Sequence, residues 1–211
     1  MGRLRRMKDP LLSEASDKML RVTANTQLMR EIIDLLSVLA EEAKLVWGEK
    51  GLHTIVVDGS HVALLSATIG DECFETYEVE PVEIGIELSK MRDLLSLAGP
   101  EDLVEIDYDD AVGAINVRVG EVHRILRGLD VGTMTQPKTP ELTFNNSATI
   151  GSDKLSRALR AAKMVNELVN LSLDSTKMTI SADQEAGESV TVSFESGELS
   201  ELSSPSPTSS T

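Results

Sequence analysis

Asn25-Thr26-Gln27-Leu28-Met29-Arg30-Glu31-Ile32-Ile33-Asp34-Leu35-Leu36 opens a stretch, Asn25–Lys44, whose apolar residues recur at helical spacing. Leu28, Ile32, Leu35, Leu36, Leu39 and Ala43 share one face, and Arg30, Asp34, Ser37 and Glu41 share the opposite one. Short alternating strands come next at Thr54–Val57 and His61–Ile69, with Asp58-Gly59-Ser60 as the turn between them. The same order returns around helical patterns at Leu88–Ala98 and Ser152–Lys163. Self-similarity on this scale predicts one supersecondary unit used repeatedly, each copy unable to bury its apolar face alone. The expected class is α+β.

Working outward, Met19–Val22 reads as a strand leading into the first helix, and residues 1–18 share no pattern with the remainder of the chain. Strands are expected at Phe74–Glu80, Val82–Glu87, Leu103–Tyr108, Ala114–Val119 and Glu121–Leu126. From Gly128 to Pro140 the periodicity vanishes, so 128–140 reads as a linker between a first domain, 19–127, and a second, 141–202. The third unit is expected to hold strands at Glu141–Phe144, Ala148–Ile150, Leu171–Leu173, Met178–Ser181 and Ser189–Glu195. From Ser203 only Ser, Pro and Thr remain, which predicts a disordered tail over 203–211.

The 211 residues carry a formal charge of −15, with 41% apolar, 26% charged and 3% aromatic residues. Leu, Val, Ile, Met and Ala must therefore do the packing. No apolar run reaches the roughly 20 residues a membrane span needs. Met1–Lys8 is basic, but no apolar segment follows to make a secretory signal. The single cysteine, Cys73, permits no internal disulfide and suits a reducing compartment. These features point to a cytoplasmic protein.

An acidic chain is a poor general nucleic-acid binder, yet the third helix departs from the average. Leu155, Ala158, Leu159 and Ala162 form its apolar stripe, Arg157 and Arg160 point away from it, and Lys154 and Lys163 flank it. Asp153 is the only acid between Ser152 and Lys163. A solvated charged face explains this pattern as readily as phosphate contact does. A basic helix without base-reading aromatics suits electrostatic, sequence-independent phosphate binding.

Asp58, Ser60 and His61 lie too close together in a tight turn to form a catalytic relay. His53 and His123 are single histidines in strand patterns, and Asp107, Asp109 and Asp110 read as an acidic hairpin turn. No phosphate loop, zinc spacing or calcium loop is present. The residues assign no catalytic group, metal or cofactor.

Val57-Asp58-Gly59-Ser60-His61-Val62-Ala63-Leu64-Leu65, Phe74-Glu75-Thr76-Tyr77 and Gly85-Ile86-Glu87-Leu88-Ser89-Lys90-Met91 through Leu94-Leu95-Ser96-Leu97-Ala98-Gly99 together resemble the proliferating cell nuclear antigen family. These are the sliding clamps of archaea and eukaryotes, and the resemblance runs from Met19 to about Leu202 in order and spacing. It implies a fold of two similar domains, each built from two βαβββ units, and a ring of three subunits with helices lining the hole. Its implied function is to encircle duplex DNA and tether DNA polymerase and other replication and repair proteins, placed there by a clamp loader, without chemistry of its own. The alternative is a truncated clamp-like module that binds partner peptides without encircling DNA. The location implied is cytoplasmic, on the nucleoid, for an archaeal protein and nuclear for a eukaryotic one; the lean sequence favours the archaeal case.

By the same resemblance Arg157 and Arg160 match basic channel positions, as does Arg30, while Glu31, Ser37, Asp93 and Ser96 replace basic residues common in relatives. Val57, His61, Val62 and Leu64 match a pocket for partner peptides, with Met134 and Pro137 on its linker wall. Glu121–Leu126 and Ser189–Glu195 match the edge strands through which subunits pair, which brings His123, Arg124, Ile125, Val190 and Val192 to the joint; His123, Arg124 and Arg127 would face Glu188 and Glu195. Relatives carry a fourth unit after the position of Leu202. The first domain is therefore expected to fold well and the second to be marginal, with Leu155, Leu159, Val190, Val192 and Phe194 lacking a covering layer.

Overall fold

The computed structural model describes residues 20–99, 101–109, 112–134, 137–139, 141–185 and 187–210. The expected N-terminal extension, 1–18, lies outside them. The chain forms two compact units that divide between Thr139 and Pro140.

Unit 1 begins with β1 (Leu20–Asn25) and α1 (Thr26–Leu36), followed by β2 (Glu42–Gly48), β3 (Gly51–Val57) and β4 (Leu64–Gly70). A 3-10 turn at Asp71–Cys73 leads to β5 (Thr76–Val79), β6 (Val82–Glu87) and α2 (Leu88–Leu95). Strands β7 (Leu103–Asp109), β8 (Ala114–Val119) and β9 (Val122–Arg127) close it. Asn25 caps α1 by accepting from the Gln27 N–H at 2.8 Å. The strands form a five-stranded sheet, β5-β1-β7-β8-β9, and a four-stranded one, β4-β3-β2-β6. One core fills the unit, in which Leu20, Met29, Ile33, Leu36, Trp47, Leu52, Leu95 and Ile115 are almost wholly buried.

Strand β2 corrects the expectation of a helix running on to Lys44. Leu36, Leu39 and Ala43 keep helical spacing, and no Gly or Pro marks the break. The helix nevertheless ends at Ser37, whose hydroxyl donates to the Ile33 carbonyl at 2.6 Å. Beyond it the period becomes two, with Ala43, Leu45 and Trp47 buried on one face.

Unit 1 is made of two reciprocal halves. β1 pairs antiparallel with β7, and β6 pairs antiparallel with β2. Each half runs strand, helix, then three strands, so β1, α1 and β2–β4 correspond to β6, α2 and β7–β9.

Unit 2 repeats the first part of this plan. It holds β10 (Ser147–Thr149), α3 (Ser152–Lys163), β11 (Asn170–Leu173), β12 (Lys177–Asp183) and β13 (Ser189–Glu195). A 3-10 turn at Ser196–Glu198, β14 (Glu201–Ser203) and β15 (Thr208–Ser210) complete it. Even single hydrogen bonds recur: Glu75 N–H donates to the Thr23 carbonyl, and Ser200 N–H to the Thr149 carbonyl, both at 2.8 Å. The two sheets are β10-β14 and β13-β12-β11-β15. Phe194 is covered by unit 2's own small core, and Leu155, Leu159, Val190 and Val192 pack partly against it.

Two other expectations are corrected. Glu141–Phe144 is not a strand: Leu142 and Phe144 are 62% and 78% exposed, and among the described residues no strand pairs with them. The tail is not patternless either, since Thr208–Ser210 pairs with Leu171–Leu173. Composition forecasts how little apolar surface a segment can bury; here an open strand edge supplies backbone partners regardless of side chains.

Candidate functional site

The basic helix α3 belongs wholly to unit 2. Ala158 and Ala162 are buried against the sheet, which turns Arg157, Arg160 and Lys163 outward into solvent. Among the described residues no ion pair engages these three. Lys154 is half-buried, and its Nζ donates to the Glu198 carbonyl at 3.1 Å, so it braces the turn before β14. Arg160 and Lys163 lie in the last turn, where the helix dipole favours cations.

Arg30 is differently committed. From α1 its Nε and one terminal nitrogen donate to the Leu95 carbonyl at 3.0 and 2.7 Å, and that nitrogen also reaches the Ala98 carbonyl at 2.7 Å. The guanidinium thus caps the C-terminus of α2, satisfying carbonyls the helix leaves open. Beside it Arg92 pairs with Asp34 at 2.9 Å. Backbone carbonyls thus occupy the donors of Arg30, and a carboxylate pairs with Arg92.

The partner-peptide residues fall in unit 1. Val57 opposes Leu64 at the end of the β3–β4 pair. Between them Asp58 organises the turn: Oδ1 accepts from the Val62 and Ala63 N–H groups at 2.8 and 2.7 Å, and Oδ2 from Ser60 at 3.1 Å. These backbone donors, Ala63 foremost, hold its carboxyl below the usual carboxylate range. His61 sits in the left-handed region at φ 57°, which leaves Val62 86% exposed. Beside this turn a groove of about 600 Å³ is lined by Ser37–Glu42, Val57 and Gly59. The Ser37–Glu42 wall, with Val38 76% exposed, is hidden in the sequence because the helical period runs straight through it.

Met134 lies across the same sheet, over Gly85. Leu129 N–H donates to the Gly85 carbonyl at 2.9 Å, and a Cβ on Gly85 would stand 2.7 Å from Met134 Sδ and 2.9 Å from Leu129 Cβ. Glycine is required here by close approach. β6 and β3 flank β2 in the sheet, so Met134 and Val57 lie about 10 Å apart or more from strand spacing alone. Pro137 is half-buried.

β9 and β13 are edge strands of their sheets. On β9, His123, Arg124 and Ile125 are exposed, Ile125 by 63%. On β13, Val190 and Val192 turn inward to unit 2's core, so that strand offers its backbone edge and not these side chains to a neighbour.

This architecture is that of a DNA polymerase sliding clamp. It superposes on A. fulgidus PCNA, solved with the C-terminal region of FEN-1 bound, at a TM-score of 0.83 over 90% of this chain and 78% of that one, with 25% identity. PCNA from Thermococcus kodakaraensis matches in fold, with a TM-score of 0.79, 19% identity and 90% and 80% of the two chains covered. The family described as proliferating cell nuclear antigen, N-terminal domain, matches residues 19–126. The DNA polymerase sliding clamp of Methanocorpusculum labreanum is 31% identical over 78% of this chain and 68% of its own length. The chain belongs to the proliferating cell nuclear antigen family, whose members are non-catalytic processivity factors, and its function is that of a sliding clamp.

Proposed function

We propose that α3 supplies the contact with duplex DNA, through Arg157, Arg160 and Lys163 with Lys154 at its base. The observation that carries this is that the three cations turn outward and meet no ion-pair partner among the described residues, on a chain of net charge −15. Contact of this kind is indifferent to sequence and weakens with salt, which lets a clamp slide. Arg30 serves chiefly as a helix cap and adds little to the contact. Partner peptides dock on the exposed turn Asp58–Ala63 and its groove, with Val57, Val62 and Leu64 as apolar contacts, the His61 imidazole beside them, and Met134 and Pro137 on the linker side. The binding of a FEN-1 segment by the A. fulgidus relative supports this reading. DNA polymerase, the clamp loader and other replication and repair proteins are the partners. Subunits join through the edges of β9 and β13 into a ring of three around DNA. The archaeal relatives favour a cytoplasmic, nucleoid-associated protein.

Retention on closed circular DNA tests this. The chain with its clamp loader should stay on a nicked circle through a salt wash and leave once the circle is cut. Equal loss from circles and linear duplex would overturn encirclement and leave a peptide-binding module.

A further inference from the structure

We propose that Met134 is an oxidation-sensitive latch on the linker. Conversion of its thioether to the sulfoxide by a peroxide frees the chain from β6 and removes the linker side of the peptide surface. Few contacts hold the linker on unit 1. Gly128 N–H donates to the Gly113 carbonyl at 3.0 Å, and Leu129 N–H to the Gly85 carbonyl at 2.9 Å. The chain then folds on itself. Asp130 accepts from the Gly132 N–H through Oδ1 at 2.9 Å and from the Thr133 hydroxyl through its carbonyl at 2.8 Å. Met134 N–H donates to the Val131 carbonyl at 3.2 Å. None of these turn hydrogen bonds reaches the sheet; the Met134 thioether does, lying over Gly85. Among the described residues, 137–139 add no hydrogen bond to the sheet, so Met134 is the last hold on it.

The surroundings of that sulfur suit a thioether and not its oxide. A Cβ on Gly85 would stand 2.7 Å from Met134 Sδ, 2.9 Å from Leu129 Cβ and 3.0 Å from the Leu129 carbonyl oxygen. Sulfur thus rests among glycine backbone, an apolar side chain and a carbonyl, where a soft, apolar atom is at home. A sulfoxide is polar, and its oxygen needs a hydrogen-bond donor. The Leu129 oxygen beside it can only accept, and the Leu129 N–H is already given to the Gly85 carbonyl. The oxidised side chain therefore turns to water and leaves β6.

Other methionines are placed differently. Met29 and Met91 are sealed in the core of unit 1, and Met178 packs against that of unit 2. Met164 is 85% exposed and can take up oxygen without displacing a neighbour. Met134 is half-buried on a loop, reachable by a small oxidant and engaged in the contact that holds that loop. In the reaction a lone pair of Sδ attacks one oxygen of hydrogen peroxide. The S–O bond forms as the O–O bond breaks, and the departing hydroxide takes the proton of the attacked oxygen and leaves as water. Sulfur loses two electrons and the peroxide gains them. The effect on partners rests on peptides docking at the Asp58 turn; the release of the linker does not.

Hydrogen peroxide treatment of the full chain tests this, in a Cys73→Ser background that removes the one thiol, with mass spectrometry to place the added oxygen. Once Met134 carries it, proteolysis within 128–139 should quicken about tenfold, and methionine sulfoxide reductase should return the rate to its starting value. Met134→Leu should be indifferent to peroxide, whereas Met164→Leu should respond as the unsubstituted chain does. The FEN-1 C-terminal region serves as the partner probe and should leave the oxidised chain several-fold faster. Unchanged proteolysis with the sulfoxide in place at Met134, a Met134→Leu chain that still opens under peroxide, or equal binding of the probe before and after would overturn the latch. Failure of the probe to bind the untreated chain would count against docking at the Asp58 turn instead, and the proteolysis rates would still decide the latch.

Discussion

Units 1 and 2 share a plan but bury very different amounts of apolar surface. Among the described residues, twenty-six buried hydrophobic side chains form the core of unit 1, and six form that of unit 2. On α1, Met29, Ile32, Ile33 and Leu36 face inward; on α3 the buried residues are Ala158 and Ala162. Unit 1 also carries a Trp47–Phe74–Tyr77 cluster with ring centroids 5.2–6.2 Å apart. Tyr77 anchors it by donating its hydroxyl to the Gly48 carbonyl at 2.6 Å. The lesson is that one supersecondary plan can serve as a scaffold in one place and as a charged surface in another. Stability in such a chain is not shared evenly.

The largest expected effect probes that difference in cores. Thermal or denaturant unfolding should show two transitions, unit 2 melting first. Phe194→Ala should abolish the lower transition, since a loss of about 3–5 kcal/mol exceeds what a six-residue core can spare. Leu95→Ala, of about 2–5 kcal/mol, should shift only the upper one. A single transition moved equally by both variants would erase the distinction.

Next come the two kinds of arginine. Arg30→Gln strips the cap from α2 and should lower the upper transition by about 1–3 kcal/mol while leaving duplex affinity nearly intact. Arg157→Gln with Arg160→Gln should do the reverse, reducing the slope of log affinity against log salt by about 2. Gly85→Ala is expected to act between these. The added methyl drives Met134 and Leu129 off β6, so proteolysis within 128–139 should quicken while the core of unit 1 holds.

The smallest effect concerns pH. The carboxyl of Asp58 is held low in the folded chain, so its contribution is complete above the ordinary carboxylate pKa and is lost as pH falls through the depressed folded value. Asp58→Asn should quicken amide exchange at Val62 and Ala63 at neutral pH and flatten their acid dependence. Unchanged exchange would show that the turn holds without the charge.

Much of the fold is legible in the residues. The three helices, the turn at Asp58-Gly59-Ser60 and the strands at Val82–Glu87, Ala114–Val119 and Ser189–Glu195 come from periodicity and turn chemistry. β2 is not legible, because Leu39 and Ala43 satisfy both a helix and a strand until tertiary packing decides. The outward direction of Arg157 and Arg160 comes from the alanine stripe opposite them. The fate of Arg30 does not. Nothing local to α1 reveals that the end of α2, 65 residues on, offers it two carbonyls. The strand at Thr208–Ser210 is equally invisible, since its cause is the open edge of β11 and not its own composition.

The Asp58 turn has a consequence for any peptide that lands beside it. Three N–H groups of Ser60, Val62 and Ala63 are fixed by one carboxylate before a visitor arrives. The entropy of freezing the loop is thus met during folding, and the arriving peptide has only itself to order. Encounter with such a rigid doorstep should be quick for every sequence, and successive visitors should be sorted by how long each one stays.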